Sequence, residues 1–293
     1  MSTTKNEQID QALRRLLQTD SWLEPYKEII QRRLLKIDET RQKLTGGKMS
    51  LADFASGHEY FGLHFTNGRW IFREWAPNAT AIFLIGDITG WQEKDPFALK
   101  RLEDGIWEIR LAADTFNHGD LYRLRIHWPG GSGDRIPAYA RRVIQDPHTL
   151  IFNAQVWQPP DPYRWKNETY QRPPAAPLIY EAHIGMAQEE GKIGSFQEFT
   201  ANILPRVAAS GYNMLQIMAI PEHPYYGSFG YQVSSFFAAS SRFGTPEDLK
   251  ALVDAAHGAG LRVGSIRLNV WMAALARPFA EAVDRYRDHD GIV

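Results

Sequence analysis

A chain of 293 residues is long enough for about two domains and a sizeable core. Its 33 Lys and Arg against 34 Asp and Glu leave a formal charge of −1, which gives no electrostatic reason to expect nucleic acid or an anionic membrane as partner. Zero cysteines exclude disulfides and cysteine metal ligands, and with the polar start MSTTKNEQID they point to a cytoplasmic protein; no apolar run approaches membrane-spanning length.

Residues 1–50 read as a helical segment. Ile9, Leu13 and Leu16, then Leu23, Tyr26, Ile29, Ile30, Leu34 and Ile37, keep helical spacing among many charges, which predicts amphipathic helices over Glu7–Asp20 and Trp22–Lys43. From residue 51 to 160 the pattern turns to short strands separated by turn signals: 70–73, 81–85, 106–110 and 121–126. That spacing is characteristic of a β-sandwich. The sandwich is rich in tryptophan, with Trp70, Trp75, Trp91, Trp107 and Trp128; most large aromatics at strand positions belong to a core, and an exposed indole offers a stacking face. A polar connector over 161–177 follows, bracketed by Pro159, Pro160 and Pro162 and by Pro173, Pro174 and Pro177.

Residues 178–263 change class again. Leu178–Gly185 (LIYEAHIG) has the alternation of a strand, and Ser195–Ser210 places Phe196, Phe199, Ile203, Leu204 and Val207 on one helical face, with Pro205 expected to kink it. Tyr212–Ile220 is an apolar run of buried-strand length that ends at Pro221. A long polar and aromatic loop, Glu222–Gly244, leads to a helix start at Thr245-Pro246-Glu247-Asp248: a hydroxyl cap, proline at the first helical position and two acids where the helix dipole favours them. Leu261-Arg262-Val263 opens another strand. The order β-α-β-α-β points to a parallel sheet and fits either a doubly wound sheet or the first part of a (β/α)8 barrel. Glu181 and His183, two apart on a strand, point the same way but are too few for a metal site, and no cluster in the chain implies a cofactor or a metal.

Three stretches separate those folds: YEAHIG, the run from GYN at Gly211 through AIPEHPYYGSFGYQVSSFFAASSRFGTPEDLK to LVDAAHGAGLRV, and REWAPNATAIFLIGDITGW at Arg73–Trp91. They resemble the 1,4-alpha-glucan (glycogen or starch) branching enzymes of the alpha-amylase superfamily, from about residue 20 to Val263. The resemblance implies a multidomain protein: a helical segment, an immunoglobulin-like all-β sandwich of carbohydrate-binding type, and then the first part of a (β/α)8 barrel. It implies an α-1,4-glucan such as glycogen or amylose as partner, with no nucleic acid or membrane, and a full-length family member that is monomeric. Tyr231 of SFGYQV matches the family tyrosine that stacks beneath the sugar being transferred, with His223, Tyr225 and Tyr226 on the same loop. Trp75 and Pro77 of the WAP turn match a family crevice beside the helical segment that holds glucan away from the active site.

The family's chemistry is retaining transfer: a carboxylate nucleophile and a second carboxylic acid about 5 Å away cut an α-1,4 bond, and the held chain moves to a 6-hydroxyl. In the superfamily those carboxylates follow the fourth, fifth and seventh strands, and this sequence reaches only about the third. The Asp and His motif expected on that strand is absent, since Gly264-Ser265-Ile266-Arg267-Leu268-Asn269-Val270 follows Val263. No catalytic residue is therefore assigned. Residues 264–293 are unlike the family; Leu268, Trp271, Leu275, Phe279, Val283 and Tyr286 have helical spacing despite Pro278, and Asp284, Asp288 and Asp290 read as solvated surface. The expectation is a branching-enzyme homologue truncated before its catalytic carboxylates, inactive as written and, with barrel faces uncovered, prone to self-association. The alternatives are a non-catalytic glucan-binding protein and another amylase-superfamily activity such as debranching.

Overall fold

The computed structural model describes residues 5–171, 175–218 and 220–265; Pro173, Pro174 and the helix expected in the tail beyond residue 264 lie outside them. The chain forms two compact units that divide between Gly57 and His58.

In the first unit, helix α1 (Lys5–Thr19) and helix α2 (Lys27–Thr45) are separated by a 3-10 turn over Ser21–Tyr26. Asp20 caps that turn by accepting the Trp22 amide at 3.0 Å, and Pro25 lies within it, so the second α-helix begins at Lys27, later than the sequence pattern suggests. Gln31 Nε2 donates to Asp10 Oδ1 across the pair at 3.0 Å, and Leu13 is buried. A one-turn helix α3 (Leu51–Phe54) follows, closed by a capping box between Ser50 and Asp53.

The second unit begins within the short helix α4 (Gly57–Tyr60) and runs into a two-sheet sandwich. One sheet has the order β1-β2-β5-β4 from β1 (Gly62–Thr66), β2 (Arg69–Trp75), β4 (Lys100–Arg101) and β5 (Ile106–Leu111). The other has the order β3-β6-β9-β8 from β3 (Ala81–Gly86), β6 (Leu121–Trp128), β8 (Val143–Gln145) and β9 (Phe152–Gln155), with β7 (Gly131–Arg135) also paired to β6. All of these pairings are antiparallel. Period-two alternation sends Trp70 and Phe72 of β2, Ile82 and Leu84 of β3, Trp107 and Ile109 of β5, and Tyr122 and Leu124 of β6 into one core.

The barrel segment packs on the same unit. Strands β10 (Ile179–Ala182), β11 (Met214–Ile217) and β14 (Arg262–Ser265) form a parallel sheet in that order. The helix expected over 195–210 is broken in the way Pro205 demands. A single turn α5 (Phe196–Glu198), capped by Ser195, gives way to a π-helical turn over Phe199–Ile203 and then to α6 (Leu204–Ala209). The Leu204 amide reaches back to the Phe199 carbonyl, so the wider turn relieves the missing amide and bulky ring of the next residue. Helix α7 (Pro246–Gly258) starts with a full capping box between Thr245 and Asp248. Its Leu249, Leu252, Val253 and Ala256 meet Leu215, Ile217 and Val263 of the sheet.

The span read as one long loop after β11 contains a short antiparallel pair, β12 (Pro221–Glu222) with β13 (Ser235–Ala239). Two residues are too few to show periodicity, and Pro221 opens this strand where the sequence had it closing the one before. The start of the connector is held by a side chain of the last described helix. Asp254 of α7, almost fully buried, accepts from Tyr163 Oη at 2.7 Å, the Lys166 amide at 2.8 Å and the Asn167 amide at 2.9 Å. Burial opposes the charge, but these bonds hold the Asp254 carboxyl below its ordinary range.

Candidate functional site at the barrel mouth and the WAP turn

Ligands of barrel folds bind beyond the C-terminal ends of the strands. Here that end of β11 carries the span 222–244, and its interior is organised by Glu222, which is fully buried. The carboxylate accepts from Ser240 Oγ at 3.1 Å, the Ser241 amide at 2.7 Å, Ser241 Oγ at 2.9 Å and Arg242 Nη1 at 3.1 Å. Its Oε1 also accepts the His223 amide at 3.1 Å. A buried carboxylate survives only when saturated in this way. Glu222 therefore braces the loop and is not exposed to a substrate. Neither Glu222 nor Arg242 announces itself in the sequence, because a fully buried glutamate has no pattern of its own.

Beneath the loop lies a ring cluster. His183, at the end of β10, is buried with its ring centre 5.5 Å from those of Phe229 and Phe243 and 5.9 Å from that of Tyr226. Neither of its ring nitrogens has a hydrogen-bond partner, and burial, then the neighbouring His223, lowers its pKa, which keeps it neutral.

The residues singled out from the sequence separate here. His223, expected to line the sugar-contacting surface, is fully buried: its Nδ1 meets the Pro221 carbonyl at 2.9 Å and its ring packs 6.4 Å from Phe243. The β12–β13 pairing turns it inward. Tyr225 is 64% exposed and Tyr231 43%, and Phe236 on β13 is exposed with them. At the loop tip Phe229 takes a left-handed φ of 52°, and the Tyr231 amide donates to the Ser228 carbonyl at 3.0 Å, closing a turn.

On the sandwich, Trp75 stands at the end of β2 with 59% of its surface exposed, whereas Trp70 and Trp107 are core residues as expected of strand aromatics. Its Nε1 donates to the Asp104 carbonyl at 3.0 Å, which fixes the plane of the indole. The turn that follows is seated on Gly105: the Ala76 amide donates to its carbonyl at 2.9 Å, and Pro77 leaves no room for a side chain there. Arg101 Nη2 donates to the Pro77 carbonyl at 2.9 Å, and Trp107 Nε1 to the Ala76 carbonyl at 3.0 Å. Glu74, buried beside the turn, accepts the Trp75 and Ala138 amides at 2.9 Å each, and burial raises its pKa. The result is a flat aromatic face and an exposed proline on a turn held by several hydrogen bonds.

Among the described residues no three potential metal ligands come together, and no helix is long and apolar enough to cross a membrane.

Residues 60–148 match carbohydrate-binding module 48, the isoamylase N-terminal domain. The chain is 43% identical over 251 residues to the 1,4-alpha-glucan-branching enzyme of Rhizophagus irregularis, covering 83% of this chain and 36% of that protein. It is 39% identical over 262 residues to the branching enzyme of Equus caballus, covering 86% of this chain and 37% of that protein. The chain thus spans little more than a third of the length of these relatives. Among solved structures, a putative alpha amylase from Salmonella typhimurium superposes with a TM-score of 0.58 at 24% identity, over 70% of this chain and 32% of that one. A pullulanase from Paenibacillus barengoltzii gives 0.57 at 20% identity, over 76% and 41%. These two show the shared fold, a sandwich leading into an amylase-type barrel. The chain is a homologue of the 1,4-alpha-glucan-branching enzymes and corresponds to their N-terminal part.

Proposed function

We propose that this chain holds an α-1,4-glucan on two aromatic surfaces, Tyr231 with Tyr225 at the barrel mouth and Trp75 with Pro77 on the sandwich. The observation that carries the proposal is the placement of Tyr231: exposed, on a loop braced from within by Glu222, at the strand ends where barrel ligands bind. Pyranose rings present an apolar face of C–H groups, and planar rings held by hydrogen bonds to backbone meet such a face with little entropy left to lose. His223 takes no part in surface contact and supports the loop from below.

The branching reaction belongs to the whole-length relatives, and we do not assign it to these residues. Retaining transfer needs two carboxyl groups about 5 Å apart and open to the sugar. At this end of the described strands, Glu222 is saturated in the interior and Glu181 accepts from Gln216 Nε2 at 3.0 Å. The chain on its own is a glucan-binding protein, in a reducing compartment such as the cytoplasm that suits a cysteine-free sequence. It also self-associates, because Leu178 and Ile179 stand exposed at edge strand β10; light scattering of the purified protein reads this directly.

Affinity electrophoresis in gels containing glycogen tests the binding. Retardation of the wild type is expected, with the apparent affinity reduced by on the order of tenfold in Trp75→Ala and in Tyr231→Ala. A wild-type band that runs as it does without glycogen would remove the proposal.

A further inference from the structure

The sandwich and the barrel segment meet through groups that belong to neither aromatic surface. Arg142, just before β8, is 8% exposed. Its Nη1 donates to the Gly244 carbonyl at 2.7 Å, and its guanidinium lies 5.2 Å from the Trp157 ring. Burial lowers its pKa, and the carboxylates that counter this, Glu222, Glu247 and Asp248, all belong to the barrel segment. Its buried Nε has no hydrogen-bond partner, so the side chain gives up one bond to keep the other end on Gly244. Beside it, Trp157 Nε1 donates to Glu247 Oε2 at 2.6 Å. Tyr139 is layered between two rings, 5.2 Å and 22° from Phe61 on one side and 4.4 Å and 29° from Phe237 on the other.

Phe237 and Gly244 lie on the downstream side of the span that exposes Tyr225 and Tyr231. The turn over 240–244 is therefore gripped twice: from within by Glu222, through Ser240, Ser241 and Arg242, and from outside by Arg142 on the Gly244 carbonyl. Between those grips sits Phe243, buried against His183, which touches Phe229 and Tyr226 at the loop tip. Packed rings transmit a displacement because the interior leaves them no slack.

We propose that the sandwich is the positioning partner of the barrel-mouth loop: Arg142, with Tyr139 and Trp157, fixes the 235–244 side of that loop and so the pose in which Tyr231 is presented. These are positioning residues that act through Gly244, Phe237 and Phe243 without touching a ligand. The ligand part of the statement rests on the glucan reading above; the loop part stands without it. Two sites on the sandwich follow, with different consequences when altered: loss of Trp75 removes a contact, whereas loss of Arg142 loosens a remote one.

The test is hydrogen exchange followed by mass spectrometry on the whole chain, together with maltoheptaose titration. Arg142→Ala and Tyr139→Leu are expected to speed exchange in peptides from 232 to 244 by tenfold or more, to leave β3, β5 and β6 within twofold of wild type, and to weaken maltoheptaose several-fold. Arg142→Lys, which keeps a donor for the Gly244 carbonyl, should recover part of the protection, and this rescue distinguishes positioning from bulk stability. Unchanged exchange over 232–244 in both Arg142→Ala and Tyr139→Leu would overturn the proposal, as would an equal rise across the sandwich strands. If Arg142→Ala does not fold, Tyr139→Leu and Arg142→Lys decide between the same outcomes. A wild type that ignores maltoheptaose would sink the glucan reading while the exchange data still judged the loop.

Discussion

Gly105→Ala is the sharpest probe of the WAP turn. Gly105 has φ of +76°, and a Cβ added there would lie 2.7 Å from both Cα and Cβ of Pro77 and 3.2 Å from its nitrogen. Two costs add. A left-handed conformation costs a residue with a side chain roughly 1–2 kcal/mol, and forcing an extra methyl into filled space costs about 1–3 kcal/mol, here with backbone of Pro77 as the obstacle. The sum, roughly 2–5 kcal/mol, corresponds to a fall of about 10 °C in Tm for a unit of this size. Gly90→Ala is the control, since Gly90 also has a positive φ, +65°, but nothing lies within 4 Å of its added Cβ. Calorimetry of both variants should show Gly90→Ala losing only the conformational share, and glycogen retardation should weaken in Gly105→Ala alone because Pro77 and Trp75 move. If the two variants melt together, the tight seat of Pro77 on Gly105 is not what holds the turn.

Glu222→Leu should cost about 2–4 kcal/mol, since it leaves the Ser241 amide and the Ser240 and Ser241 hydroxyls without their acceptor and takes the counter-charge from Arg242, which keeps the His223 and Pro224 carbonyls; a loss under about 1 kcal/mol by calorimetry would contradict the bracing role. Stability should fall with acid below about pH 6.5, the ordinary range of histidine. Burial lowers the folded-state pKa of His64, His183 and His257, so the unfolded chain binds the extra protons there, while above that range their contribution is constant. His183→Phe should flatten the Tm profile between pH 5 and 7 relative to wild type, and an unaltered slope would mean His183 is not the buried neutral group described. Asp254→Ala should release the connector it holds and speed tryptic cleavage after Lys166; equal cleavage rates would refute the tether.

Much of this architecture was legible because it is written in short-range patterns. The sandwich strands alternate cleanly enough that 70–73, 81–85, 106–110 and 121–126 fall inside observed strands, and the Thr245 cap followed by Pro246 marks the start of α7 to the residue. Pro205 gave warning of a break, though nothing local says that the answer is a π-helical turn rather than a kink. What stayed hidden depends on long-range partners. Glu222, Asp254 and Arg142 look like ordinary surface charges until the chain folds and surrounds them. Tyr225 and His223 are two residues apart with similar chemistry, yet the β12–β13 register exposes one and seals the other. That register rests on a two-residue strand that no window of sequence could reveal.

Ala238 lies on β13, in the barrel segment, yet it is fully buried among the residues of the sandwich core. The sandwich thus lends out a place in its own interior to a residue that comes long after its last strand, β9, has ended. During synthesis from the N-terminus, the sandwich strands leave the ribosome first and have nothing to put in that gap. The module is then expected to reach its final packing only once the barrel-mouth loop has arrived. A gene cut after residue 160 should yield a sandwich with an open flank, less stable and readier to aggregate than the same strands in the longer chain.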